Sequence, residues 1–308
     1  MTNFENQSGF TLTSSKLQLV ELVYRDDQYV LDNIDEVYFD EVINFESDKE
    51  TKIISTIQSA FNELIIRKPL ASKSVSFSAP LELFYTMQIP YENSLLHQDL
   101  ISELRWEFTL LYPFLVQKDL VVQYFEVEKN IFLNYPTVIA VAICRKYLNL
   151  INNFCGANNL RLKFVDNVHL ASDRALSVSR PEMWRGLSLS IYLGSRNLSV
   201  IFTLNGKPVY FKVIPFTDAS EIPAVLSEEV NNNEMISLKE YSVGSAFISG
   251  EEISDSLVST LRGLMGIDLV RFNPFENIKA GNEVFENKFF MERFNGFSSA
   301  AGIALRIG

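Results

Sequence analysis

Few side chains in this 308-residue chain have the types and spacing of a catalytic group. Glu251 and Glu252 stand close to Asp255 and could pair as carboxylates for proton transfer. Acidic residues ahead of a helix are more simply explained by the favourable field at its N-terminus. The two histidines, His97 and His169, are far apart, and a packed or capping histidine is the expected role for His169. Ser188 and Ser190 have no histidine and aspartate at a spacing that suggests nucleophilic catalysis. Cys144 and Cys155 lack CxxC spacing and read as two buried thiols. Asp35, Glu36, Asp40 and Glu41 form an acidic run expected on a solvated face.

The net charge of −11 argues against nucleic-acid binding, because affinity for a phosphate backbone rests on lysine and arginine. With 47% hydrophobic and 21% charged residues the composition is globular, and the length suffices for two domains. No stretch approaches the ~18 to 20 apolar residues of a membrane span. The start MTNFENQSGF lacks a basic, apolar leader, so the expected location is the cytoplasm, with no direct membrane insertion.

The elements that would position any site are clearest at residues 187–216, LSLSIYLGSRNLSVIFTLNGKPVYFKVIPF. Apolar residues alternate through Leu187 to Leu193, Leu198 to Leu204 and Val209 to Val213. This predicts a three-strand meander with turns at Gly194-Ser195 and Asn205-Gly206. Residues 9–39 carry a weaker copy, with turns at Ser14-Ser15 and Asp26-Asp27, so a duplicated α/β fold is expected. A helix is expected at residues 47–67, with Ser47 and Glu50 as a capping box and Ile53, Ile57, Phe61 and Leu64 on its apolar stripe. Residues 75–91 read as a strand pair, 94–111 as a helix, and 119–128 with 136–144 as a second pair. A helix at residues 145–157 stopped by Gly156, a strand at 161–165 and a helix capped by Asp166 or Asn167 follow. Further helices are expected near residues 221–230 and 253–264, around a strand at 246–249. The chain closes with a small-residue helix at residues 297–306, suited to close packing.

Four segments in this order resemble the PilM family of actin-like proteins from the type IV pilus inner-membrane platform. They are LQLVEL (17–22), ELRWEFTLLYPF (103–114), the run from Val141 to Ala171, and GIDLVRFNPFENI (266–278) with AAGIALR (300–306). More distantly the chain is similar to the cytoplasmic part of GspL of type II secretion and to FtsA. The resemblance implies an actin-like (ribonuclease H-like) duplicated fold with an inserted small α+β subdomain. It implies a first half at residues 1–71 and 129–180, the insert at 72–128 and a second half at 181–308.

In working ATPases of that class, glycine-rich loops cradle the phosphates and an aspartate on each half organises magnesium. This sequence departs from the pattern. Thr11 and Thr13, beside Ser14, replace the first loop's aspartate and glycine, and Gln18 stands at a lysine position. Tyr192 replaces the second aspartate, although Gly194 and Ser195 remain. Thr217-Asp218 stand at a glycine pair, and Glu251 follows Gly250 where a second glycine is usual. The interval between Phe216 and Ile248 is also too short for the helical subdomain that walls the adenine pocket. The expectation is a non-enzymatic scaffold with no cofactor. The alternative is an actin-like protein binding ATP through an altered site.

As a scaffold, the resemblance implies a cytoplasmic protein held at the inner membrane by a PilN-like single-span partner, whose N-terminal segment lies in a groove beside the insert. Phe84, Tyr85, Met87, Ile89 and Trp106 are the candidates to line it. Self-association is left open as a second kind of contact.

Overall fold

The computed structural model describes residues 5–92, 95–233, 235–236, 241–281, 284, 290 and 292–306. Two meanders organise it. In the first half β1 (Gln7–Leu12), β2 (Lys16–Arg25) and β3 (Gln28–Tyr38) run antiparallel. Strands β4 (Ser74–Ala79) and β8 (Arg161–Asn167) join in parallel beside β1. In the second half β9 (Leu187–Leu193), β10 (Asn197–Leu204) and β11 (Lys207–Pro215) repeat the meander, with β12 (Ser245–Gly250) and β13 (Leu269–Arg271) in parallel beside β9. The sheet orders β3-β2-β1-β4-β8 and β11-β10-β9-β12-β13 are the same third-second-first-fourth-fifth pattern. The expected duplication is present. A short strand β14 (Lys279–Ala280) adds outside β3. The hairpin turns place Asp26 and Asp27 at φ 50° and 58°, and Asn205 and Gly206 at 52° and 77°. Those left-handed pairs match the twist of the strands they join.

Helix α1 (Glu50–Arg67) buries the expected stripe of Ile53, Ile57, Phe61 and Leu64. The anticipated capping box does not form. Lys49 is the N-cap residue and makes no side-chain bond, while the Ser47 amide donates to Asn44 Oδ1 at 3.1 Å. Asn44 offers the turn a nearer acceptor than the helix end does. Helix α3 (Arg145–Ala157) runs on through Gly156, and the left-handed residue that follows it is Asn159, at φ 55°. Together α1, α3 and the first sheet bury Phe10, Phe61, Phe77 and Phe154. Phe10 stacks on Phe77 at 5.0 Å, and Phe61 meets Phe154 edge-on at 5.4 Å.

Residues 75–91 are not a strand pair. Strand β4 belongs to the main sheet, and β5 (Phe84–Pro90) belongs to a separate three-stranded sheet, at one edge of it, with residues Thr137–Cys144 in the centre and Leu120–Val127 at the other edge. By sheet membership the insert begins after Ala79 and ends at Cys144, rather than spanning 72–128. It comprises β5, α2 (His97–Leu111), β6 (Leu120–Val127) and β7 (Thr137–Cys144). Strand β7 is buried throughout because both of its faces are covered. Val138, Ala140 and Ala142 share a core with Leu100, Leu104 and Phe108 of α2, whereas Ile139 and Val141 join the core of the second half. Gln88 also donates to the Val209 carbonyl of β11 at 3.0 Å, so the insert bridges both halves.

The halves are joined by α4 (Val168–Ser179), capped by Asn167 as expected, and by the C-terminal α7 (Ser298–Ala304). The small residues of α7 permit a very close crossing. A Cβ on Gly302 would lie 1.7 Å from the Ala171 carbonyl oxygen, and one on Gly9 of β1 would lie 2.3 Å from that of Ala300. Between β11 and β12 the described residues hold one 3-10 turn and α5 (Ile222–Asn231), which packs on α6 (Asp255–Met265). The helical subdomain of the second half is correspondingly small.

Candidate functional site

The β1–β2 and β9–β10 turns converge from the two halves, bringing the hydroxyls of Ser14 and Ser195 to 3.4 Å. A cavity of about 540 Å³ opens beside them, lined among others by Gly194, Arg196, Phe216, Ile222 and Glu251. The turns are held by their own bonds. Thr13 Oγ1 accepts from the amides of Ser15 and Lys16 at 3.2 and 3.1 Å, and the Gly194 amide donates to the Asn197 carbonyl at 2.9 Å. These N–H groups are thereby used within the turns, where an anion would need them free.

The other expected cleft residues divide by depth. Thr11 is fully buried, with its hydroxyl 2.7 Å from Ser78 Oγ, and Tyr192 is buried beside the His169 ring. Gln18 and Gly250 border a second cavity of about 280 Å³. Gly250 sits at φ 112°, and an added Cβ would lie 2.1 Å from the Leu193 carbonyl oxygen. Close passage of β12 over β9 is sufficient reason for that glycine. Its carbonyl accepts from Asn295 Nδ2 at 2.8 Å.

Carboxylates lie in and near the cleft. Ser254 caps α6 and Asp255 lies in its first turn, but Glu251 turns into the cavity. Burial raises the pKa of Glu251, Lys16 opposes this, and Glu252 and Glu36 add to it. Glu82, just after β4, is raised by burial, then by Glu251, with Arg196 acting against. A carboxylate with a raised folded-state pKa stabilises the fold below the unfolded value, and that contribution is lost as the pH rises through the folded value. Glu82→Gln should therefore unfold at a higher temperature than the wild type at about pH 7.5, the gap closing towards about pH 4, near the unfolded carboxylate value. A pH-independent difference in scanning calorimetry would contradict a buried charge there.

Of the acidic run, Glu36 is not on a solvated face. It is buried, accepts from Gln18 Nε2 at 3.0 Å, and pairs with Lys16 at 3.3 Å and Arg293 at 2.7 Å. No sequence pattern pointed to Arg293, which comes from the far end of the chain.

The partner candidates also separate. Met87 is buried in the core, while Phe84, Tyr85 and Ile89 are partly buried. Trp106 is 58% exposed on α2. Tyr85 gathers two residues that the sequence reading did not assign to a site, with ring centroids 5.2 Å from Tyr112 and 5.8 Å from Phe114. Phe114 is 62% exposed. Burial pushes the Tyr85 phenol up to about 12, with smaller contributions from neighbours that include Tyr147 and Glu46. The Tyr147 hydroxyl of α3 donates to the Phe45 carbonyl at 3.1 Å, so the segment between β3 and α1 lies against α3, next to the end of β7. A partly exposed aromatic cluster results at this junction.

His169 lies in the core as expected, its ring nitrogens each 2.6 Å from a serine hydroxyl, Ser190 and Ser199. His97 is 2.7 Å from the Tyr124 hydroxyl. Both cysteines are buried and free. Among the described residues no group of His, Cys, Asp or Glu could hold a metal ion, and no helix is long and apolar enough to cross a membrane.

No family model and no curated protein matches the sequence. Solved structures do match in shape. A PilM–PilN type IV pilus biogenesis complex aligns with a TM-score of 0.72 at 15% identity, covering 97% of this chain and 98% of that one. A Bacteroides thetaiotaomicron protein with an actin-like ATPase fold and unknown function aligns at 0.51, with 14% identity over 90% and 96% of the two chains. The fold is actin-like. The ethanolamine utilization protein EutJ from Carboxydothermus hydrogenoformans gives 0.52 at 8% identity, over 99% and 90%. In this actin-like frame the two cavities lie where the paired turns of the halves meet, and the aromatic cluster lies where the insert meets the first half.

Proposed function

We propose that this actin-like chain is a nucleotide-independent scaffold of an inner-membrane platform related to type IV pilus assembly or type II secretion. It holds the cytoplasmic N-terminal segment of a PilN-like single-span protein and reaches the membrane through that partner. The observation that carries the reading is the partly exposed aromatic cluster of Tyr85, Tyr112 and Phe114 beside the Glu46 segment. Aromatic side chains at a groove offer large contact area at small entropic cost, which suits capture of an extended segment. Likeness in shape to a chain of a PilM–PilN type IV pilus biogenesis complex over nearly the whole length supports it.

The cleft supports the nucleotide-independent part. Magnesium and triphosphate need free backbone N–H groups and ionised carboxylates placed for the metal. Here the Ser15, Lys16 and Gly194 amides are used internally, Thr11 and Tyr192 stand at the aspartate positions, and Glu251 and Glu252 line the cavity that a polyanion would enter. The residues present do not fit Mg-ATP. The altered nucleotide site remains the second reading on the volume of the cavity alone.

The test is fluorescence anisotropy with a peptide copying the N-terminal cytoplasmic segment of the PilN-like protein from the same source. Phe114→Ala, which removes an exposed ring, should weaken binding by about tenfold or more without moving the unfolding midpoint. Equal affinity in the variant would sink the groove assignment. The midpoint of the wild type should not shift with millimolar Mg-ATP, whereas a ligand at ~100 times its Kd adds about 2.7 kcal/mol to the native state.

A further inference from the structure

We infer that Glu36 is a built-in counter-anion that closes the junction between the two halves, occupying a position at which a free oxyanion could otherwise bind. Three donors converge on its carboxylate: Lys16 Nζ at 3.3 Å, Gln18 Nε2 at 3.0 Å and Arg293 Nη1 at 2.7 Å. The first two are strand neighbours, since β2 pairs with β3 and sets Gln18 directly opposite Glu36. The third comes from the segment just before α7, more than 250 positions away in the chain.

That segment touches both halves. Arg293 also bonds the Tyr38 hydroxyl of β3. Asn295, two residues on, holds the Gly250 carbonyl at the end of β12, and Phe294 lies under the Arg271 guanidinium at 5.1 Å. The Glu36 carboxylate, with the Tyr38 hydroxyl beside it, therefore fixes a strap from the first-half sheet to the end of the second. The Lys16 and Glu36 side chains are only 4% and 3% exposed, so each charge depends on the others for compensation. Removing one member of such a buried group leaves uncompensated charge, which costs far more than the group's own net contribution.

The cavity of about 280 Å³ bordered by Lys16, Gln18, Glu36, Gly250 and Arg293 gives an external anion a route to the same donors, past Glu251, Glu252 and Glu292, which also line it and disfavour any anion wherever Glu36 keeps those donors neutralised. Its chemical class is an inorganic oxyanion of phosphate type, which accepts several hydrogen bonds at once as the carboxylate does. In the wild type Glu36 excludes it. The mechanical consequence is that the halves are clasped from within and need no bound anion to stay closed. This goes beyond partner binding and fails separately from it, because the peptide assay does not read this junction.

The experiment is chemical rescue. Glu36→Ala should lower the unfolding midpoint by roughly 5 to 15 °C. Inorganic pyrophosphate should restore much of that loss, while sodium chloride at matched ionic strength should not. The wild type should show no pyrophosphate effect beyond the chloride control, and Lys16→Met combined with Glu36→Ala should lose the rescue. If Glu36→Ala does not fold alone, near-UV circular dichroism after refolding with pyrophosphate reads the same rescue. An unchanged midpoint in Glu36→Ala, a variant that pyrophosphate does not restore, or a wild type stabilised as much as the variant would each overturn the assignment.

Discussion

Gly302→Val should cost this protein at least ~3 kcal/mol, lowering the unfolding midpoint by roughly 6 to 12 °C or preventing folding. The reason is geometric. Helices α4 and α7 cross so closely that an added Cβ would lie 1.7 Å from the Ala171 carbonyl oxygen and 2.6 Å from its carbonyl carbon. No rotamer change relieves a clash with backbone, so the helices must separate. Their separation would also disturb the hydroxyl bonds of Ser172 to Ser298 and Ser249, at 2.9 and 2.8 Å, and that of Ser299 to the Val168 carbonyl. A control of opposite sign lies within α6. Gly263 has open space around it, so Gly263→Ala should gain about 0.5 to 1 kcal/mol from helix propensity. A urea midpoint for Gly302→Val no lower than that of the wild type would mean that the α4–α7 crossing is not what holds the halves together.

Much of this architecture was legible because it rests on local rules. The left-handed pairs at Asp26-Asp27 and Asn205-Gly206 and the apolar stripe of α1 each follow from neighbouring residues without help from distant parts of the chain. The insert boundary was not legible, for a physical reason. Strand β4, SVSFSA, alternates serine with apolar residues as a half-exposed hairpin strand would, yet all six of its residues are buried. Two of its three serines bond within the protein, Ser78 with Thr11 and Ser74 with Arg161. Strand β9 does the same, with Ser188 bonded to Ser245 and Ser190 to His169. In a sheet covered on both faces, polar residues that pair with one another imitate a solvent face.

The candidate site was legible in unequal parts. The turns carrying Ser14, Gly194 and Ser195 could be placed from hairpin chemistry, and they do meet. Glu36 could not be separated from its acidic neighbours, because its burial depends on the register of β3 against β2 and on Arg293 from the other end of the chain. Tyr85 was a candidate from its strand, but its partners Tyr112 and Phe114 lie beyond the end of α2, where a chain turn decides the contact.

The core of α4 sets up the second large effect. His169 is enclosed between the hydroxyls of Ser190 and Ser199, and burial lowers its pKa to about 3. One turn later Asp173 has an oxygen, Oδ1, enclosed without a hydrogen-bond partner, and burial raises its pKa to about 6, against a hydrogen bond from Ser190 and the charge of Arg174. The two groups act with opposite signs. His169 is depressed, so its contribution is complete above the unfolded value of about 6.5 and is lost as the pH falls towards about 3, at about 1.4 kcal/mol per unit. Asp173 is raised, so its contribution is complete below about pH 4 and is lost as the pH rises through about 6, amounting to about 3 kcal/mol. Between about pH 4 and 6 the two slopes offset each other, and the pair gives the wild type little dependence on pH. Asp173→Asn removes only the second contribution. The variant should be about 3 kcal/mol more stable than the wild type near pH 7 and then lose about 1.4 kcal/mol per unit as the pH falls below about 6.5. Urea unfolding at intervals across that range reads the slope directly, and a variant parallel to the wild type would show that these two buried groups do not set the pH range over which α4 keeps the halves joined.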